Sequence, residues 1–183
     1  MTLLRKFWRK KDDKAAHELY LILAGQARQP VFYRDGGVPD GLDGRFDMLA
    51  LHLFLVLRRL SRDRGFAAET ELAQQLFDVM FGDMDRSLRE MGVGDLTVGK
   101  RIRAMTEAFY GRVSAYEAGL QAADDAQLAD ALARNLYRGN PPDAVKPARI
   151  ADYMRRADQL LQSQSGEDLL AGRLSFPALP DFD

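Results

Sequence analysis

The sequence contains no cysteine, which excludes disulfides, thiolate metal sites and a cysteine nucleophile. Histidine is nearly absent too: His17 and His52 are too few for a histidine-rich metal centre. Neither sign of charge is in excess. The 26 Lys+Arg and 27 Asp+Glu leave a formal net charge of −1, whereas DNA-binding proteins usually carry a clear basic surplus. No apolar run approaches the ~20 residues that a membrane-crossing helix needs. The longest, Met48 to Leu57, is interrupted by His52. Alternating apolar and polar residues between hairpin turns are missing, so strands are not expected. The glycine-rich stretch Gly36 to Gly44 has neither Gly-x-Gly-x-x-Gly nor Gly-Lys-Ser/Thr, so it is no phosphate cradle.

What is present is helical periodicity. The chain has 183 residues, 46% apolar and 29% charged. That describes one folded domain able to bury roughly 70% of its unfolded surface. A first helix is expected after Asp12 and Asp13, as caps, ending before Pro30. A second, from Asp43 to Gly65, is apolar nearly all round and belongs at the centre of a bundle. The third, Ala67 to Met91, carries the stripe Leu72, Leu76, Met80, Met84, Leu88 and Met91, and Gly92 suits its left-handed terminus. The fourth, capped by Asp95 or Thr97, carries Val98, Ile102, Met105, Phe109, Val113, Tyr116 and Leu120. Gly111 inside it implies a closely approaching neighbour. Asp124 and Asp125 open a fifth helix, and a sixth starts near Pro147. The expected architecture is an all-α, bundle-like domain of about six helices over residues 12–165. A basic amphipathic segment, 1–11, precedes it. A loose acidic tail, 166–183, follows, with one short helix after Ser165.

Several side chains invite a chemical reading. At the N-terminus, Leu3, Leu4, Phe7 and Trp8 share a helical face collared by Arg5, Lys6, Arg9, Lys10 and Lys11. That pattern suits a membrane surface or a partner. His52 lies on the most apolar helix, either as a hydrogen-bonded core residue or as the axial ligand of a haem in a haem- or quinone-binding bundle. Asp83, Asp85, Glu90 and Asp95 form an acidic cluster. They suit a carboxylate-metal enzyme, or simple helix ion pairs of the type Asp85–Arg89 and Arg86–Glu90. Arg45 stands in a helix's first turn, where a cation is unfavourable unless a carboxylate meets it. Tyr110 and Arg112 lie off the apolar stripe of their helix, as a contact surface or as partners of another helix.

Three stretches are more specific. They are Val38-Pro39-Asp40 running into Asp43-Gly44-Arg45-Phe46-Asp47 and Leu51-His52-Leu53; Asp83 to Asp95; and Ala108-Phe109-Tyr110-Gly111-Arg112 followed by Ala115-Tyr116. In this order and spacing the chain closely resembles the ubiquinol–cytochrome c chaperone family, over about residues 30 to 165. The resemblance implies a non-enzymatic assembly factor without cofactor or metal, binding newly made cytochrome b during biogenesis of respiratory complex III. It also implies a bacterial member that is cytoplasmic and peripheral on the cytoplasmic face of the inner membrane, with the ribosome left open as a further contact and no DNA bound. On that view Arg45, Asp83, Asp85, Arg89, Asp95 and Tyr110 are the polar part of a client-binding surface. Leu4, Arg5, Lys6, Phe7 and Trp8 touch the membrane. The flexible Met80, Met84, Met91 and Met105 lie nearby, in a groove or in the core.

Overall fold

A computed structural model describes the backbone of residues 3–62, 67–143 and 145–182, with side chains from Lys14 onward except that of Ala68. Among the described residues there are eight helices and no strand. Six are long: α1 (Leu3–Ala27), α3 (Leu42–Arg62), α4 (Ala67–Glu90), α5 (Asp95–Gln121), α6 (Ala126–Tyr137) and α7 (Val145–Ser163). Two are five-residue helices, α2 (Pro30–Arg34) and α8 (Gly166–Leu170). The all-α bundle of about six helices is therefore what the chain forms.

The centre of the bundle is α3, which packs against α1, α4, α5, α6 and α7. Every residue from Phe46 to Val56 is buried, as an all-round apolar helix requires. Its first turn is held by the preceding loop. The Pro39 carbonyl lies so close that a Cβ on Gly44 would stand 1.9 Å from it, so only glycine fits there. Gly119 plays the corresponding part on α5, where an added Cβ would stand 2.8 Å from the Leu128 backbone of α6. Gly111, expected to mark a close approach, has no such neighbour and is exposed.

Several helix ends differ from expectation. α1 runs unbroken through Asp12 and Asp13, which lie inside the helix rather than at its cap. The N-cap of α5 is Gly94, so Asp95 opens the helix without capping it. Asp124, not Asp125, accepts a backbone bond at the start of α6, from Ala126 N at 3.0 Å. Asp125 instead meets Arg155, which also donates to the Gly119, Leu120 and Asp124 carbonyls and so closes the end of α5. At the end of α4, Gly92 takes φ +81° and Val93 N bonds back to Leu88 O at 3.1 Å, as the sequence suggests. Ser165 caps α8 through Asp168 N.

The C-terminal segment is packed rather than loose. Leu174 and Phe182 are buried. The Gln164 side chain pairs with both backbone groups of Ser175. Lys146 donates to the Phe182 carbonyl at 3.0 Å, and Arg156 to that of Ala178. Its scattered apolar residues lack a helical period, so tertiary contacts alone order it.

A carboxylate sits inside this core. Asp47 is 0% exposed. Its Oδ1 accepts from Arg112 Nη2 of α5 at 2.5 Å, and Arg138, at the end of α6, reaches its Oδ2 at 2.8 Å. Arg112 also donates to its own Ala108 carbonyl and lies over the Phe46 ring at 5.6 Å. Burial pushes the Asp47 pKa above the ordinary carboxylate value, and the two guanidinium groups oppose that shift. Removing one member of such a pair strands the other charge, which typically costs about 3–5 kcal/mol. Arg112→Leu should therefore lower the unfolding free energy by about that amount in urea titrations. The double variant Asp47→Leu/Arg112→Leu should regain part of it, and an unchanged midpoint for Arg112→Leu would show that the pair contributes nothing.

Candidate functional site

His52 occupies a fully buried position on α3, and both its ring nitrogens are satisfied. Nδ1 meets the Met48 carbonyl at 2.8 Å, one helical turn back, so it carries the proton. Nε2 then accepts from the Tyr153 hydroxyl at 2.9 Å, and that hydroxyl accepts from Gln26 Nε2 at 3.0 Å. Phe32, Tyr153 and Phe176 pack around the ring. Neither nitrogen is left to ligate an iron. This is the hydrogen-bonded core histidine, linking α1, α3 and α7.

The acidic cluster does not converge either. Asp83 faces α1 and accepts from the Tyr20 hydroxyl at 2.5 Å, with Arg86 at 3.4 Å. Asp85 and Asp95 both go to Arg89: Asp85 Oδ1 lies 2.6 Å from Nε, and Asp95 bonds Nη1. The Asp85 contact is the expected ion pair. The Arg86–Glu90 pair does not form, because Arg86 turns to Asp83. Among the described residues no group of three or more acids or histidines is placed to hold a metal ion. Arg89, held by Asp85 of its own helix, instead ties the end of α4 to the start of α5, and those carboxylates raise its pKa.

Arg45 has its carboxylate. Its Nε lies 2.7 Å from Asp40 Oδ1, and that bond holds Asp40 below the usual carboxylate range. The pair stands on the rim of a groove of about 600 Å³ between the end of α1, the start of α3 and the end of α4. Leu42, Phe46, Leu49, Met84 and Met91 give it an apolar lining. Met80 and Met84 are core residues, Met105 is half-buried, and Met91 is 56% exposed. Beyond the groove, at the α4–α5 corner, Leu96 is 88% exposed.

The structure thus brings Arg45 beside the end of α4, with the Asp85–Arg89–Asp95 triad at that same end. Asp83 is engaged with α1. Tyr110, 60% exposed, stacks at 6.1 Å on Phe77 and borders a separate depression of about 860 Å³ with Phe54, Leu57 and Arg58. Sequence reasoning missed Leu42, Leu96 and Arg28 on this side of the molecule. Leu96 was legible as an apolar residue off the Val98–Ile102 stripe; Arg28 carried no signal. The side chains of the proposed membrane-contact residues Leu4, Arg5, Lys6, Phe7 and Trp8 lie outside the described residues, and no described helix is long and apolar enough to cross a membrane.

A family model described as ubiquinol-cytochrome C chaperone matches residues 34–176. A Xenopus laevis protein named ubiquinol-cytochrome-c reductase complex assembly factor 1 is 30% identical over 90% of this chain and 81% of its own. A human protein of the same name is 27% identical over 95% of this chain, which spans 58% of the human one. Among solved structures, the Cbp3 homolog from Brucella abortus superposes with a TM-score of 0.83 at 37% identity, covering 97% of both chains.

The His52 site has a pH signature. Burial lowers its pKa from 6.5 to about 4, with the Met48 bond opposing. The unfolded chain therefore takes up the proton first on acidification. The stability this site contributes is intact above pH 6.5 and is lost as the pH falls toward about 4, by about 3 kcal/mol in all. Urea titrations at pH 7 and pH 4.5 should show that loss for the native sequence and a smaller one for His52→Gln. Equal losses for the two would remove His52 as its source.

Proposed function

Because this chain belongs to the ubiquinol-cytochrome C chaperone family, we propose that it is a non-enzymatic assembly factor for the ubiquinol–cytochrome c reductase complex, complex III. Its client on this reading is newly made cytochrome b. An apolar client segment emerging at the membrane needs temporary cover, which requires exposed apolar side chains rimmed by polar ones. The observation that carries this reading is the exposure of Met91 and Leu96 around the Asp85–Arg89–Asp95 triad. The proposed surface runs from the Asp40–Arg45 pair across the end of α4 to the start of α5. Arg45 is paired with Asp40, and Arg89 with Asp85 and Asp95, an arrangement suited to shaping a surface and not to acid–base chemistry.

We place the protein at the cytoplasmic face of the inner membrane, with the basic residues and Trp8 of segment 1–11 as its contact.

Two measurements test these statements. Exchanging the charges in Arg89→Glu/Asp95→Lys keeps a pair between α4 and α5 but reverses what a client meets. Cells carrying only this variant, with its fold verified by circular dichroism, should accumulate markedly less complex III; normal assembly would refute the surface. Removing residues 1–11 should reduce cosedimentation with anionic liposomes, and undiminished binding would rule out the terminal contact.

A further inference from the structure

The groove between α1, α3 and α4 contains two charges that the fold leaves unmatched. Arg28, just past the end of α1, and Glu90, the last residue of α4, both line it and are both exposed. Neither makes an ion pair among the described residues. The other cation on the rim, Arg45, is already neutralised by Asp40. An unpaired cation and an unpaired anion therefore border one apolar floor, on which Phe46, Leu49 and Met84 are buried and Met91 is exposed.

This combination selects among occupants. An anionic lipid headgroup would satisfy Arg28 and be repelled by Glu90. A purely apolar small molecule would cover the floor and desolvate both charges without pairing either, which is costly. An amphipathic helix carries what is missing: apolar anchors at i, i+3, i+4 and i+7, with charged residues of both signs flanking them. Methionine at two floor positions lets the groove repack around anchors of different shape. We infer that this groove seats an amphipathic helix of the client, its apolar face on Phe46, Leu49, Met84 and Met91, with an acid paired to Arg28 and a base paired to Glu90. The inference rests on the chaperone reading above and adds the form and charge pattern of the segment held.

The test uses three fluorescein-labelled amphipathic peptides with the same leucine face. They are flanked by one Glu and one Lys, by two Glu, or by two Lys. Anisotropy titrations measure their binding to the full-length protein and to Arg28→Glu and Glu90→Lys, both exposed positions whose variants are checked by circular dichroism. The native protein should prefer the mixed peptide by about fivefold, the size of a partly exposed ion pair. Glu90→Lys should shift the preference to the two-Glu peptide and Arg28→Glu to the two-Lys peptide. The same ranking for all three proteins, or no binding, would overturn the inference. In cells, a photo-crosslinking amino acid replaces Ser87 in the groove or Gln121 in the separate depression. Cytochrome b captured at Ser87 supports the groove. Capture only at Gln121, or at neither position, overturns the groove and leaves the chaperone reading to the complex III measurement above.

Discussion

A carboxylate with no access to water governs how this bundle is put together. Asp47 lies in the second turn of the central helix, at the start of its wholly buried stretch. An ionised carboxylate there is tolerable only if cations reach it. Arg112 supplies one from α5 and Arg138 the other from the end of α6. Any packing that slid α5 or α6 along α3 would leave a buried charge unpaired. The ion pair therefore fixes how three helices sit on one another, where apolar contacts alone would accept several arrangements. The Arg112 guanidinium over Phe46 adds that ring to the same constraint.

The stretches that carry the family resemblance acquire physical meaning from this. Gly44 is required by the Pro39 carbonyl, Asp47 and Arg112 by each other, and Gly92 by the left-handed turn that ends α4. Most of these residues are architectural. They hold the start of α3 and the end of α4 side by side, and that placement creates the groove. The exposed residues around it have no such duty: removing the side chain of Leu96 or Met91 would disturb no packed interior. Their exposure costs solvation free energy that the fold itself does not recover, as expected of a surface kept for another polypeptide.

The same logic separates His52 from the groove. A chain of hydrogen bonds from Gln26 through Tyr153 to His52 and Met48 ties α1, α3 and α7, and leaves no ring nitrogen for a ligand. The acidic residues are likewise apportioned, Asp83 to Tyr20 and Asp85 and Asp95 to Arg89. His52, Asp83, Asp85 and Asp95 are thus each matched by a neighbour, whereas Arg28 and Glu90 on the groove make no ion pair among the described residues.

Helix existence, the central place of α3, the stop at Gly92 and the short helix after Ser165 were all written in the amino-acid order, because periodicity and capping act between residues a few positions apart. The Asp85–Arg89 pair was legible for the same reason. Partners distant in the chain were not. Asp47 was legible only as part of a family stretch, and nothing local pointed to Arg112 or Arg138. Asp95 looked like a cap and became an ion-pair partner, while Gly111 looked like a contact and Gly119 proved to be the contact. The tail 166–183 looked loose because it is polar and acidic, with Pro177 and Pro180 near its end; Phe182 is buried where Gly36 and Lys146 meet it. The groove belongs to the same class, since its walls come from three helices and only their packing brings Arg28 and Glu90 to one opening.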